Sequence, residues 1–97
     1  MRIIAKKTLR KFWERHPDAK GPLLAWYGEV EREDWAKPAD VKAKYGHASI
    51  IDSERVVFNI KGNHYRLVVR IDYVRRIVYV RFVGTHADYD GVNAKEV

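Results

Sequence analysis

The chain has 97 residues, 46% of them hydrophobic, and 19 Lys and Arg against 13 Asp and Glu give a formal charge of +6 and a sequence pI near 9.7. That length fits a single domain over residues 1–97, because a second core would be too small to hold itself without a metal or disulfides; with no cysteine, disulfide and thiolate chemistry are excluded. The charge favours polyanionic partners such as RNA, DNA, ribosomes or acidic proteins, and with no apolar run near the roughly 20 residues of a membrane span and no signal-peptide segment, a cytoplasmic protein without a membrane partner is expected.

In chain order, residues 1–5 (MRIIA) are short, apolar and β-branched, and read as a brief strand that joins a later sheet. From Thr8, a plausible N-cap, Leu9, Phe12, Trp13 and His16 recur at helical spacing. Pro17 ends that helix and can open the next. Gly21-Pro22 conflicts with a helix begun at Pro17 and predicts a kink or break. Beyond them Leu23, Trp26, Tyr27 and Val30 give the i, i+3, i+4, i+7 stripe of an amphipathic helix ending near Asp34. Trp35 and Lys37-Pro38 mark a connection, and residues 38–45 predict one or two helical turns with Val41 and Tyr45 inward. Residues 46–54 read as a loop anchored by Ile50-Ile51. Trp13 and Trp26 lie on apolar stripes and read as core. Trp35, in a connection, is a candidate for a partner surface.

The second half alternates with a period of two. Val56, Phe58 and Ile60 share one face; then Gly62-Asn63 supplies a two-residue hairpin turn, making Lys61 and His64 cross-strand neighbours. Tyr65, Leu67, Val69, Ile71 and Tyr73 continue the apolar face. In the third strand Val78, Val80 and Phe82 are expected inside, with Ile77, Tyr79, Arg81 and Val83 outside. The outer face thus carries Arg55, Asn59, Lys61, Arg66, Arg70, Tyr79 and Arg81, a basic surface with few carboxylates. The whole pattern predicts an α+β domain: an N-terminal strand and two to three helices packed on one face of a small, mostly antiparallel sheet, with the basic face open.

At the end of the third strand the chain reads GTHADYDG. Thr85 and Asp88 form a capping-box pair, which places His86 and Tyr89 three apart on one face of a short helix. Histidine titrates near neutrality and serves as acid or base; tyrosine can stack on a base or donate a proton. Arginine can hold a phosphate and stabilise the charge that grows on it. An arginine-lined face rimmed by His and Tyr suits RNA cleavage by the 2′-OH, although arginines on a strand face are also ordinary solvated residues. His16, His47 and His64 lack metal-ligand spacing, so no zinc site is expected. Neither a phosphate-cradling glycine loop nor a Ser or Cys nucleophile motif is present, and no cofactor is expected.

VVFNIKGNHYRLVVRIDY followed by VYVRFVGTHADYD, together with the opening MRIIAKKTLRKFWERHPDA, resembles the HigB family of type II toxin–antitoxin toxins within the RelE-like group. The likeness covers nearly the whole chain, and GNHYRLV and THADYD are its most specific parts. It implies a ribosome-dependent endoribonuclease that cuts messenger RNA in the decoding site and is neutralised by a cognate helix-turn-helix, HigA-like antitoxin. Carried over by position, Arg66 matches the strand arginine used on the scissile phosphate, and His86 and Tyr89 match the C-terminal pair implicated in proton transfer and stacking. Asn59 and Lys61 fall where relatives place a polar or basic catalytic group. His86 is assigned as base and Tyr89 as acid or stacker, with Lys61 the competitor. Asn59, Asn63, Arg55, Arg70 and Arg81 are the expected RNA-binding residues. A non-catalytic RNA- or ribosome-binding module needs only the basic face, and a module for an acidic protein partner needs neither His86 nor Tyr89.

Overall fold

In the computed structural model, which describes all 97 residues, the chain runs β1 (Arg2–Ile4), α1 (Lys6–Arg15), a 3₁₀ turn (Pro17–Ala19), α2 (Lys20–Glu31), α3 (Pro38–Lys44), β2 (Ser49–Ile50), β3 (Arg55–Ile60), β4 (Tyr65–Asp72), β5 (Ile77–Thr85) and α4 (His86–Asp90). The strands form one sheet in the order β1-β5-β4-β3-β2. Only the β1–β5 pair is parallel, because helices intervene between those two strands in sequence. This is the α+β architecture expected from the alternation.

Helices cover one face. Leu9 and Phe12 of α1, Leu23, Trp26 and Val30 of α2, and Val41 of α3 join Val56, Phe58, Leu67, Val69 and Val78 in one buried cluster. Each such side chain contributes roughly 1.5–3 kcal/mol by leaving water, so the sheet's inner face is held by many comparable contacts. Trp35 is only 1% exposed and stacks on Phe58 at 6.3 Å. It belongs to the core and not to a partner surface, because its connection folds inward between α2 and α3.

Several local expectations shift. The first helix begins at Lys6 with Ala5 at its N-cap and no side-chain cap, so Thr8 does not cap it; the chain turns straight out of β1 and leaves Thr8 inside the first turn. The Gly21-Pro22 conflict resolves because the 3₁₀ turn absorbs Pro17 and α2 starts afresh at Lys20. Pro22 then lies in a first turn, where its missing N–H has no intrahelical partner to lose. That helix ends at Glu31, three residues before the expected Asp34. Residues 46–54 are not wholly loop: Ser49 and Ile50 pair with Val57 and Val56 as a fifth strand. No helix is long and apolar enough to cross a membrane.

Candidate active site

Strand register arranges the outer face in rows. Asn59, Arg66 and Gly84 lie side by side, then Val57, Val68 and Phe82, then Arg55, Arg70 and Tyr79. Above them the His86 amide donates to the His64 carbonyl at 3.1 Å, and the His64 amide donates to the Lys61 carbonyl at 3.2 Å. Between the second and third of these rows the β4–β5 register slips: Val68 faces Phe82 but Val69 faces Val80. Arg81 is the extra residue of a bulge. The slip overturns part of the expected facing. Phe82 lies outside, while Val83 packs on the inner cluster. Arg81 leaves the outer face and lines a groove of about 540 Å³ with Lys11, Arg15 and Phe82 between α1 and β5.

Arg66 is the only buried charged residue in the chain, at 9% exposure. No carboxylate pairs with it. Its partners all come from the hairpin: Nη1 donates to the Asn63 and Tyr65 carbonyls, both at 3.2 Å, and Nη2 donates to Asn63 Oδ1 at 2.5 Å. A guanidinium has five N–H donors, so two remain for something else. A buried cation satisfied by neutral acceptors keeps its full charge for an incoming anion.

The other expected cations are differently placed. Arg55 Nη1 pairs with Asp52 at 3.0 Å, Arg70 Nη2 with Glu54 at 3.0 Å, and Lys61 Nζ with Asp18 at 2.7 Å. The expectation of few carboxylates on this face therefore fails, because Asp52 and Glu54 arrive from a loop, while Lys61 reaches to Asp18 of the 3₁₀ turn, which also bonds the inner-face Tyr65. Hydrogen bonds from Lys61, and then from the Tyr65 hydroxyl, hold the Asp18 carboxyl below its ordinary range, and the same contact raises the Tyr65 hydroxyl. Nor is the face wholly open. Val57 and Val68 are buried without joining the inner cluster. The C-terminal end comes back to the lower row, where Arg55 Nε donates to the Val97 main-chain oxygen at 3.2 Å. Asn59 and Asn63 line a cleft of about 550 Å³ with Lys44, Tyr45, His47 and Phe58.

At the top of the sheet the capping box forms as read. Asp88 N–H donates to Thr85 Oγ1 at 3.0 Å and Thr85 N–H donates to Asp88 Oδ2 at 3.1 Å. The Thr85 backbone donor holds the Asp88 carboxyl low. Gly84 makes this closure possible, since a Cβ there would sit 2.5 Å from Phe82 Cζ and 3.0 Å from Asp88 Cβ. Helix α4 thus packs against β4 and β5 beside the Arg66 row. His86 is exposed and its Nδ1 lies 3.5 Å from Asp90 Oδ2. Tyr89 is half-buried on the same short helix.

Sequence reasoning missed two residues here. His64 precedes Arg66 by two on the same face, and its Nδ1 lies 3.0 Å from the Lys61 carbonyl. The period-two alternation of the strand carries that placement. Asp18 had no local signal, since its partner Lys61 is 43 residues away.

A family profile described as HigB_toxin, the RelE-like toxic component of a toxin–antitoxin system, matches residues 19–92. The "mRNA interferase toxin HigB" of Escherichia coli strain K12 is 30% identical over 93 residues, covering 93% of this chain and 88% of that protein. The "mRNA interferase HigB" of Shigella flexneri matches to the same extent. A protein of that name from Escherichia coli O6:H1 is 22% identical over 92 residues, covering 93% and 89%.

Proposed function

The chain belongs to the HigB family of RelE-like toxins, and from that premise we propose that it is an endoribonuclease that cleaves messenger RNA on the ribosome. It is the toxin of a type II toxin–antitoxin pair, acts in the cytoplasm, and is neutralised by a helix-turn-helix antitoxin. The observation that carries this reading is Arg66, a buried guanidinium with neutral partners and donors to spare, on the strand pair against which α4, with His86 and Tyr89, packs.

In the proposed reaction a base takes the proton of the ribose 2′-OH, the 2′-oxygen bonds to phosphorus, and the bond from phosphorus to the 5′-oxygen breaks as an acid protonates that oxygen. The products are a 2′,3′-cyclic phosphate and a 5′-hydroxyl. Arg66 offsets the charge that builds on the phosphorane oxygens, where a preorganised cation acts most strongly. His86 serves as base. Its Nδ1 faces the Asp90 carboxylate at 3.5 Å, and Nε2 is the nitrogen left to take the proton. Tyr89 stacks on a base or supplies the proton for the leaving oxygen. The alternative base, Lys61, is occupied by Asp18 and correspondingly less suited.

Induced expression followed by mapping of messenger 5′ ends tests the proposal. The parent is expected to create new ends and arrest growth. Arg66→Ala, and separately the His86→Ala/Tyr89→Ala pair, are expected to create none while remaining folded. New ends at parental abundance from Arg66→Ala defeat the site assignment, and ribosome binding by the parent without new ends favours a binding module instead.

A further inference from the structure

We infer that Asn63 is a positioning residue for Arg66, one that aims the free donors of the guanidinium without neutralising them. This rests on the reading of Arg66 as the phosphate-binding group. An unrestrained arginine samples many rotamers, and a fork that must meet two phosphate oxygens gains from being fixed beforehand. Asn63 supplies two of the three acceptors that fix it: its side-chain Oδ1 holds Nη2 at 2.5 Å and its main-chain oxygen accepts from Nη1 at 3.2 Å.

The hairpin is shaped for this double grip. Lys61 and Gly62 both adopt positive φ, 52° and 62°, which is unusual for lysine and ordinary for glycine. The consequence is a four-residue loop in place of the expected two-residue turn. It brings the main-chain and side-chain oxygens of residue 63 onto one guanidinium. With the Tyr65 carbonyl they take up both hydrogens of Nη1 and one of Nη2. The Nε–H and the second Nη2–H stay free, a pair suited to bidentate contact with phosphate.

The side-chain identity follows from charge. Aspartate at 63 would accept the same bonds but form an ion pair with Arg66, competing with the phosphate for its charge. Alanine would leave only the main-chain grip. Asparagine is a strong acceptor that carries no charge, and its Oδ1 is already spent on Arg66. Beside the RNA contact expected of it, Asn63 thus holds the guanidinium through Oδ1 and its main-chain oxygen.

The test compares Asn63→Ala, Asn63→Asp, Arg66→Ala and the Asn63→Ala/Arg66→Ala double variant in cleavage of a defined messenger on programmed ribosomes, with thermal unfolding measured in parallel. Asn63→Ala is expected to lower kcat by about 10–100-fold, the scale of a small misplacement at a reacting centre, with its melting temperature close to the parent's. Asn63→Asp is expected to melt no lower than the parent and yet cleave no faster than Asn63→Ala. The double variant is expected to be no slower than Arg66→Ala, since Asn63 acts through that side chain. Parental kcat in Asn63→Ala beside an inactive Arg66→Ala overturns the inference and leaves the phosphate reading standing. Full cleavage by Asn63→Asp overturns it too, because a hairpin staple is served as well by aspartate. Parental cleavage by Arg66→Ala overturns the phosphate reading and this inference with it.

Discussion

Two arginine rows on one sheet face differ in what satisfies them. At the lower row Arg55 and Arg70 face each other across β3 and β4, and each has a carboxylate at 3.0 Å. Two rows higher Arg66 sits deeper than either and has none. Strand periodicity makes these arginines equivalent; their counter-charges make them opposite. A cation paired at the surface is already discharged toward its neighbour, whereas one held by carbonyl oxygens still exerts its full field. Lower-row arginines therefore hold the loop at residues 52–54 and the returning C-terminal segment, and the upper one is left for chemistry.

The largest expected effect breaks or confirms that contrast directly. Arg66→Ala is expected to lower mRNA cleavage by about a thousandfold, the scale of losing one preorganised transition-state donor. Arg55→Ala and Arg70→Ala are expected to stay within about threefold of the parent, since each is already paired with a carboxylate. Equal losses from all three, measured on one substrate, would merge the rows into a single RNA-binding surface.

Next in size is Gly84→Ala, in the Arg66 row. The added Cβ collides with the Phe82 ring and the Asp88 side chain, and overpacking of this kind costs about 1–3 kcal/mol. Chemical denaturation measures it, and an unchanged midpoint would show that Phe82 does not pack outside as the register has it. Smaller again is Glu54→Gln. Loss of the exposed Arg70 pair is expected to cost under about 1 kcal/mol, and high salt is expected to shrink the difference further.

The smallest effect concerns acid. Asp52 and Asp88 are both held below their ordinary 3.8, Asp52 chiefly by the backbone donors of Glu54 and Arg55 and Asp88 chiefly by that of Thr85. A lowered folded value means the unfolded chain takes up protons first. Their contribution to stability is thus complete above the ordinary carboxyl value and disappears as the pH falls through the lowered one. Unfolding followed between pH 6 and about pH 2 is expected to show a shallower acid dependence in Asp52→Asn and Asp88→Asn than in the parent.

Much of this was legible in the residues. Alternation in RVVFNI and YRLVVRID placed the inner and outer sets of β3 and β4, including Arg66, and Thr85 with Asp88 announced the capping box that forms. Other features left no periodic trace. The two residues of β2 are too few to show a period, and their pairing depends on where the loop returns. Val78, Val80 and Val83 are all β-branched and apolar, so an apolar strand end reads equally well in either phase and hides the bulge. Ion pairs such as Asp18–Lys61 depend on the 3₁₀ turn docking beside the hairpin. Only the folded chain distinguishes a free arginine from an occupied one.

The bulge at Arg81 lets β5 carry one residue more than its partner while holding the facing that β4 dictates. In the unslipped phase the even-numbered side chains after Val80 would turn toward the helices, taking Phe82 into the core and His86 away from the face of Arg66. With one added residue Phe82 and Gly84 lie outward, opposite Val68 and Arg66. Arg81 is thus the spare residue of the strand: substituting it is a local change, and deleting it leaves Val80 opposite Val69 and Phe82 opposite Val68 in plain alternation, so the end of the strand keeps its facing.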